Sequence, residues 1–393
     1  MMERNFKFIK KEDKQDNEQI RESLTYWKDA WRRLKKNKLS MVGLVGVIFI
    51  ILFGVFGPFL SPYNYSDQEN DYLNLPPRMG VYKVEENANV YLSGQYFLIL
   101  VDDKGHLVDR LDIARKDIPN RTYYYSYKDD EIAIDFSYRA LDPEGDIDYT
   151  VTYKGETVEH PTSTVWNKNY LLGTDSLGRD ILTRLMYGAR ISLTVAFVAT
   201  MVMLFIGVTY GSIAGFEGGK VDNVMMRIVD IINSIPLVIY VILLMVILNK
   251  SNLWTVILAL ASVYWVGMAR LVRGQILGLK EQEFVLAARV IGVSKFRIIS
   301  RHLIPNALGP IIVSMTMMIP TAIFTEAFLS FIGIGISAPA ASWGTMANDS
   351  IQSLEIYPYQ MIYPSLAIGI TVLAFNFLGD GLRSALDPRL RKG

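Results

Sequence analysis

Six stretches of this chain run on without a single charged side chain: residues 41–60, 191–216, 231–249, 251–269, 306–325 and 356–379. A hydrocarbon core of about 30 Å takes about 20 helical residues, so each run predicts one membrane-spanning helix. The first run is too long for a cleaved leader and follows some forty polar residues, so it reads as a retained span. Residues 61–170 follow a different pattern. Apolar and polar positions alternate over 96–101, 107–111, 132–138 and 148–153, which predicts strands. Asp102-Asp103-Lys104-Gly105 and Lys154-Gly155 lie between such runs as turn signals, so hairpins are expected. The fold class is therefore an all-α polytopic membrane protein with six transmembrane helices and an inserted β-rich domain.

Charge orients this arrangement. Over the whole chain, 40 Lys and Arg balance 39 Asp and Glu, which argues against a nucleic-acid partner. Locally the balance breaks. Residues 1–40 carry 12 basic side chains against 7 acidic, residues 270–302 carry 7 against 2, and residues 380–393 carry 4 against 2. Six crossings with the N-terminus inside place all three on the cytoplasmic side, as the excess of positive charge on inner loops requires. The insert, with 20 acidic against 11 basic side chains and 14 of the 22 tyrosines, then lies outside. Tyrosine-rich surfaces suit docking; an insert with no direct role is the other reading. Trp27 and Trp31, followed by Arg32, Arg33, Lys35, Lys36 and Lys38, read as an interfacial helix against anionic lipid, or else as a solvated basic linker. The expected organisation is a cytoplasmic tail with that helix (1–40), a first span (41–60), an extracytoplasmic insert (61–170), a pre-membrane segment (171–190), a transmembrane domain (188–384) holding a cytoplasmic loop at 281–305, and a tail (385–393).

Several chemistries are missing. The chain has no cysteine, and its three histidines stand far apart. Gly218-Gly219-Lys220 approaches a phosphate-binding loop, but Val221 follows it and Ala214 stands where the first glycine belongs, so no nucleotide site is expected. No nucleophile elbow and no dinucleotide fingerprint occur. Asp230 and Glu326 fall near span ends, where water could reach them, so a proton relay is not expected. Neither a catalytic residue nor a cofactor nor a metal site is assigned.

The loop between the fourth and fifth runs is the informative one. Phe284, Ala287, Ala288 and Ile291 share a helical face, and Gly292 interrupts it as a cap or bend. Ser294 is placed to cap a second helix with Ile298 and Ile299 inward, and Pro305 is expected to end it. Such a helix–turn–helix, held between two spans, could receive a push from a soluble partner. Pro236, Pro310 and Pro320 are expected to break or kink the third and fifth spans.

Ala287-Ala288-x-x-x-Gly292, then His302-Leu303-Ile304-Pro305-Asn306, resembles the EAA loop of bacterial ABC importer permeases, with Leu286 where the family carries glutamate. Trp27-Lys28-Asp29-Ala30-Trp31-Arg32-Arg33-Leu34 with Asn37-Lys38-Leu39, and Leu172-Gly173-Thr174-Asp175-Ser176-Leu177-Gly178-Arg179-Asp180, are similar to segments of the C-type permeases of oligopeptide and dipeptide importers. So are Glu326-Ala327-Phe328-Leu329-Ser330-Phe331-Ile332-Gly333, Ser342-Trp343-Gly344, Arg383 and Asp387-Pro388. The resemblance covers residues 26–60 and 171–390 and implies the type I ABC importer permease fold. It further implies partners: a second, B-type permease, two ABC ATPase subunits that hydrolyse the ATP, and an extracellular solute-binding protein that delivers peptide. Ala287, Ala288, Arg289, Gly292 and Ser294 are the residues it points to for coupling; Arg289 also reads as a basic residue reaching toward the membrane surface. The setting would be the lipid bilayer of a prokaryotic plasma membrane, with both termini cytoplasmic. Other readings are a permease for nickel-chelates or oligosaccharides, a membrane peptide sensor, and an ion-coupled carrier.

Overall fold

The structure is a computed structural model and describes residues 26–137, 148–248, 252–336 and 339–386. Tyr138, Asn249, Ser251 and Asp387-Pro388 lie outside the described residues, as does most of the N-terminal tail. Helix α1 (Tyr26–Lys36) buries Ala30 and Leu34 and leaves Trp27 and Trp31 exposed, with the Lys35 ammonium 5.2 Å from the Trp31 ring centre. Asn37 separates it from α2 (Lys38–Leu60), accepting a hydrogen bond from the Ser40 amide at 3.3 Å. The 23 residues of α2 rise about 35 Å, enough to cross a membrane.

The insert is a β-sandwich. One sheet joins β1 (Arg78–Glu85), β2 (Ala88–Leu92), β3 (Leu98–Val101), β4 (Leu107–Leu111) and β10 (Ser163–Trp166) in the order β10-β1-β2-β3-β4. The other joins β5 (Ile113–Asp117), β6 (Thr122–Tyr127), β7 (Asp130–Asp135), β8 (Thr150–Tyr153) and β9 (Glu156–Val158) in sequence order. Every pairing is antiparallel. The faces meet through Val90, Leu98, Tyr125, Ile132, Ile134 and Val151. Alternation marked β3, β4, β7 and β8. It did not mark β1, β2, β9 or β10, nor β6, whose Thr-Tyr-Tyr-Tyr-Ser-Tyr places an amphipathic ring on both faces, nor β5, which faces outward almost throughout. Both expected turns form, with Gly105 at φ +92° and the Lys154-Gly155 pair at +49° and +83°.

Helix α3 (Ile181–Glu217) starts ten residues before the uncharged run. Asp180 caps it, accepting from the Thr183 amide at 2.7 Å. The helix packs along α6 (Leu253–Leu279). Gly207, Gly211 and Gly215 recur every fourth residue, and a Cβ at Gly211 would collide with the Ala269 carbonyl oxygen. This spacing brings two membrane helices into backbone contact. The third uncharged run is not one straight helix. Its first residues end α4 (Gly219–Ser234), and the chain turns 87° at Ile235-Pro236 into α5 (Leu237–Leu248). Proline's missing amide and fixed φ account for the break. Among the described residues, five helices are long and apolar enough to span a membrane, or six if the bent pair counts as one.

The fifth run lies in α9 (Ile304–Phe331), which continues through Pro310 and Pro320. Pro305 does not end the preceding helix. Helix α8 (Lys295–Ile298) and the segment Ile299–Leu303 run straight into α9, the latter as a π turn. A wider turn absorbs a proline that an α-helical register would reject. Glu326 is not at a watery edge: it is fully buried and accepts from the Ser192 hydroxyl at 2.8 Å and the Ser330 hydroxyl at 2.9 Å. Helix α10 (Trp343–Asp349) and helix α11 (Tyr359–Leu386) are the last helices among the described residues.

Contacts at the helix ends give the bundle a polarity. The Tyr359 hydroxyl, at the start of α11, donates to the Leu75 and Thr174 carbonyls at 3.0 and 3.1 Å, beside the insert. At the far end of α11, Gly381 lies against Ser40 and Leu34, where α1 meets α2. The start of α3 belongs to the insert end. Its last turn lies at the other end, against the loop that follows α6.

Candidate functional site

That loop is an elbow. Helix α7 (Glu283–Val290) turns Val285 and Ala288 into a core shared with Phe216, Val272, Ile276 and Leu303. Of the face expected from 284, 287, 288 and 291, only 288 turns into this core. Phe284, Ala287 and Ile291 face outward.

Gly292 is where the chain bends. Its φ is +79°, and no atom lies within 4 Å of where a Cβ would stand. The Val293 amide bonds to the Ala288 carbonyl and the Gly292 amide to the Arg289 carbonyl, each at 3.0 Å. This is a Schellman closure, which satisfies carbonyls that the helix end would leave open. Ser294 follows in extended conformation at the start of the Lys295–Ile298 turn, but its hydroxyl makes no capping bond. Its carbonyl accepts the Ile298 amide at 3.0 Å instead.

Three cations fasten the elbow to the end of α3. The Arg289 guanidinium lies 5.0 Å from the Phe216 ring centre. The Lys280 ammonium donates to the Gly215 carbonyl at 3.0 Å, and the Lys295 ammonium contacts both Glu217 carboxylate oxygens at 2.9 Å. Positive charge is favourable where a helix exposes its last carbonyls. Ala287, Ala288, Arg289, Gly292 and Ser294, the residues singled out in the sequence, all lie in this elbow; its partners at the end of α3 were not foreseen. Phe216, Gly215 and Glu217 lie too far back in the chain for any local spacing to link them to the loop. Among the described residues, no group of three or more His, Cys, Asp or Glu side chains is placed to hold a metal.

The outer surface of the elbow is apolar. Val290, Ile291 and Phe296 are 88%, 80% and 81% exposed, and Glu283, Arg289, Lys295 and Arg297 of the same loop are exposed too. Large apolar side chains gathered on an otherwise charged loop mark an interaction surface. Covering each one fully contributes about 1.5–3 kcal/mol.

Residues 207–392 match the family described as binding-protein-dependent transport system inner membrane component. Residues 25–77 match the N-terminal TM domain of oligopeptide transport permease C. Over 226 residues, 58% of this chain and 74% of the other, the sequence is 52% identical to the oligopeptide transport system permease protein OppC of Bacillus subtilis. It is 38% identical over 373 residues to the dipeptide transport system permease protein DppC of the same organism, covering 95% of this chain and 88% of that one. So long a match cannot leave out residues 61–170. Among solved structures, the MetNI methionine ABC transporter in an inward-facing form is similar at TM-score 0.43 and 22% identity, over 52% of this chain and 96% of that one.

Proposed function

The chain belongs to the family of binding-protein-dependent inner membrane transport components, as a C-type permease subunit of the oligopeptide and dipeptide ABC importers, and on that premise we propose how its parts divide the work. It is a multi-pass protein of the cell membrane and a permease rather than an ATPase. In our reading the bent pair α4–α5 serves as the third of six spans. Both termini and the elbow face the cytoplasm, and the insert faces outward. The basic side chains of α1 and of the elbow lie at one end of the bundle and the acidic insert at the other, which supports this orientation.

The elbow docks on one of two ATPase subunits. Val290, Ile291 and Phe296 enter the partner's groove, while Ala287 lets the surfaces approach. Ala288 and Gly292 fix the shape, Arg289 ties the elbow to α3, and Ser294 starts the outgoing turn. A push on the elbow then reaches α3 through Phe216 and Glu217, and α9 through the unbroken helix from Lys295. A second permease completes the pathway, and an extracellular solute-binding protein supplies short peptides. The observation that carries this reading is the exposed apolar surface of the elbow. Reconstitution of the complex tests it. Ile291→Asp with Phe296→Asp should abolish peptide-stimulated ATP turnover and the co-purification of ATPase subunits while membrane insertion stays normal. Normal co-purification of that double variant would rule the docking surface out.

A further inference from the structure

Between the two sheets of the insert, at their junction with the connection from α10 to α11, lies a cleft of about 840 Å³. This is within the range of about 300–1,000 Å³ typical of sites for small ligands. One wall is a cluster of three rings: Tyr96 and Tyr123 each pack edge-on or tilted against Phe136, at 5.2 and 5.3 Å, and against each other at 5.8 Å. The buried Tyr125 donates from its hydroxyl to the Tyr96 carbonyl at 2.8 Å and holds that wall from behind. Arg121 and Asp148 bring both signs of charge to the same cleft, and Tyr357 of the membrane domain closes one side.

We propose that this cleft is a binding station for a short free peptide, outside the membrane path. The proposal rests on the peptide-importer reading and names a second place for its cargo. The chemistry fits in three respects. Aromatic faces accept many apolar side chains while losing little conformational freedom. The Arg121 guanidinium in the cleft matches the carboxylate end of an unblocked peptide through charge-assisted hydrogen bonds. The floor is connected to the transmembrane helices: the β2–β3 hairpin tip rests on Tyr357, whose hydroxyl fills the space a Cβ on Gly94 would need, and α11 begins two residues later at Tyr359. Occupancy of the cleft thus has a short covalent route to the last span.

The test uses the full chain with its partner permease in lipid nanodiscs. The probe is an unblocked tetrapeptide of aliphatic and aromatic residues, titrated calorimetrically beside its acetylated and amidated form. The unblocked peptide should bind, and blocking its termini should weaken binding. Arg121→Asn and Tyr123→Ala should each weaken it about tenfold. Asparagine tolerates the left-handed backbone at residue 121, where φ is +53°, so that variant keeps its fold. Arg115→Ala, on the stacked pair with Tyr124 away from the cleft, should leave binding unchanged. Unaltered affinity in both cleft variants would overturn the proposal. So would an absence of peptide binding while Arg121→Asn weakens docking of the solute-binding protein, because the cleft would then receive that protein. Peptide-stimulated ATP turnover of the wild-type complex is measured separately. Its absence would sink the importer reading, whereas its presence without binding to the permease pair would sink only the cleft.

Discussion

Arg289 lays its guanidinium across the buried ring of Phe216, 5.0 Å from its centre, and so joins the elbow helix α7 to the last turn of α3. The contact supplies a physical link between a surface that meets a partner and a helix that crosses the membrane. A cation over an aromatic face contributes about 0.5–1 kcal/mol at exposed sites. Loss of so small an amount should not unfold the chain. Arg289→Ala is therefore expected to lower transport-linked ATP turnover by several-fold while the yield of folded protein stays unchanged. Arg289→Lys should recover part of the loss. Equal turnover in the wild type and Arg289→Ala, measured on the reconstituted complex, would remove Arg289 from the coupling route.

Gly292 gives a sharper expectation. With no atom within 4 Å of where a Cβ would stand, a substitution there meets no steric barrier; its whole effect comes from φ at +79°. An ordinary L-residue in the left-handed region costs about 1–2 kcal/mol, and a β-branched one is the least tolerant. Gly292→Val should open the Schellman closure and impair both uptake and transport-linked ATP hydrolysis without harming insertion. Gly292→Asn should be much milder. The comparison of uptake rates between the two separates backbone conformation from side-chain bulk.

The sequence made the membrane helices legible because twenty uncharged residues in a row suit little besides a bilayer. It made the elbow legible because a glycine after a helical face permits little else. What it could not show was contact across distance. The anchors at Gly215, Phe216 and Glu217, and the hydroxyl of Ser192 on Glu326, come from helices that only the fold brings together. The buried side of α7 was not legible because Phe284, Val285, Leu286, Ala287 and Ala288 are all apolar, so periodicity alone could not choose between adjacent stripes. Tyrosine blurred the strand pattern of the insert for a related reason, since its ring can be buried with its hydroxyl left wet.

The turn before α3 carries a buried ion network whose members should differ in importance. Asp175 accepts from Arg179 Nε at 2.7 Å and from Arg184, and the amides of Leu177 and Arg179 bond to its other oxygen at 2.9 and 3.0 Å. Asp349 of α10 contacts the same two guanidinium groups at 3.2 and 3.1 Å, but its side chain is 41% exposed, against 7% for Asp175. Removing one partner of a buried pair costs about 3–5 kcal/mol, because the charge left behind stays out of water. Asp175→Asn is expected to lower the thermal midpoint in detergent well below that of Asp349→Asn. Equal midpoints would show that Asp349 carries as much of the network as Asp175.

Acid should loosen the insert through Glu85 at the end of β1. The Lys128 ammonium is its strongest neighbour, and the hydroxyls of Tyr153 and Tyr127 donate to it at 3.2 and 3.3 Å. Together they hold its carboxyl below the usual glutamate value, against a smaller opposing effect of burial. A carboxylate whose pKa is lower in the folded state stabilises the fold above its unfolded value, about 4.3, and that contribution fades as pH falls through the lower folded value. Protection of β1 and β6 amides from hydrogen exchange is the suitable measurement, since Glu85 fastens the β1 edge to Tyr127 of β6. Protection should hold near neutrality and decline as the pH drops below the ordinary carboxylate range. In Glu85→Gln the protection should start lower and depend less on pH over the same interval, because the titrating partner of Lys128 is gone. An identical acid profile in the variant would assign the loosening to other carboxylates. Asp102 is the next to test: burial pushes its carboxyl up, but bonds from the His106 amide and ring and from the Lys104 amide together outweigh that and hold it low.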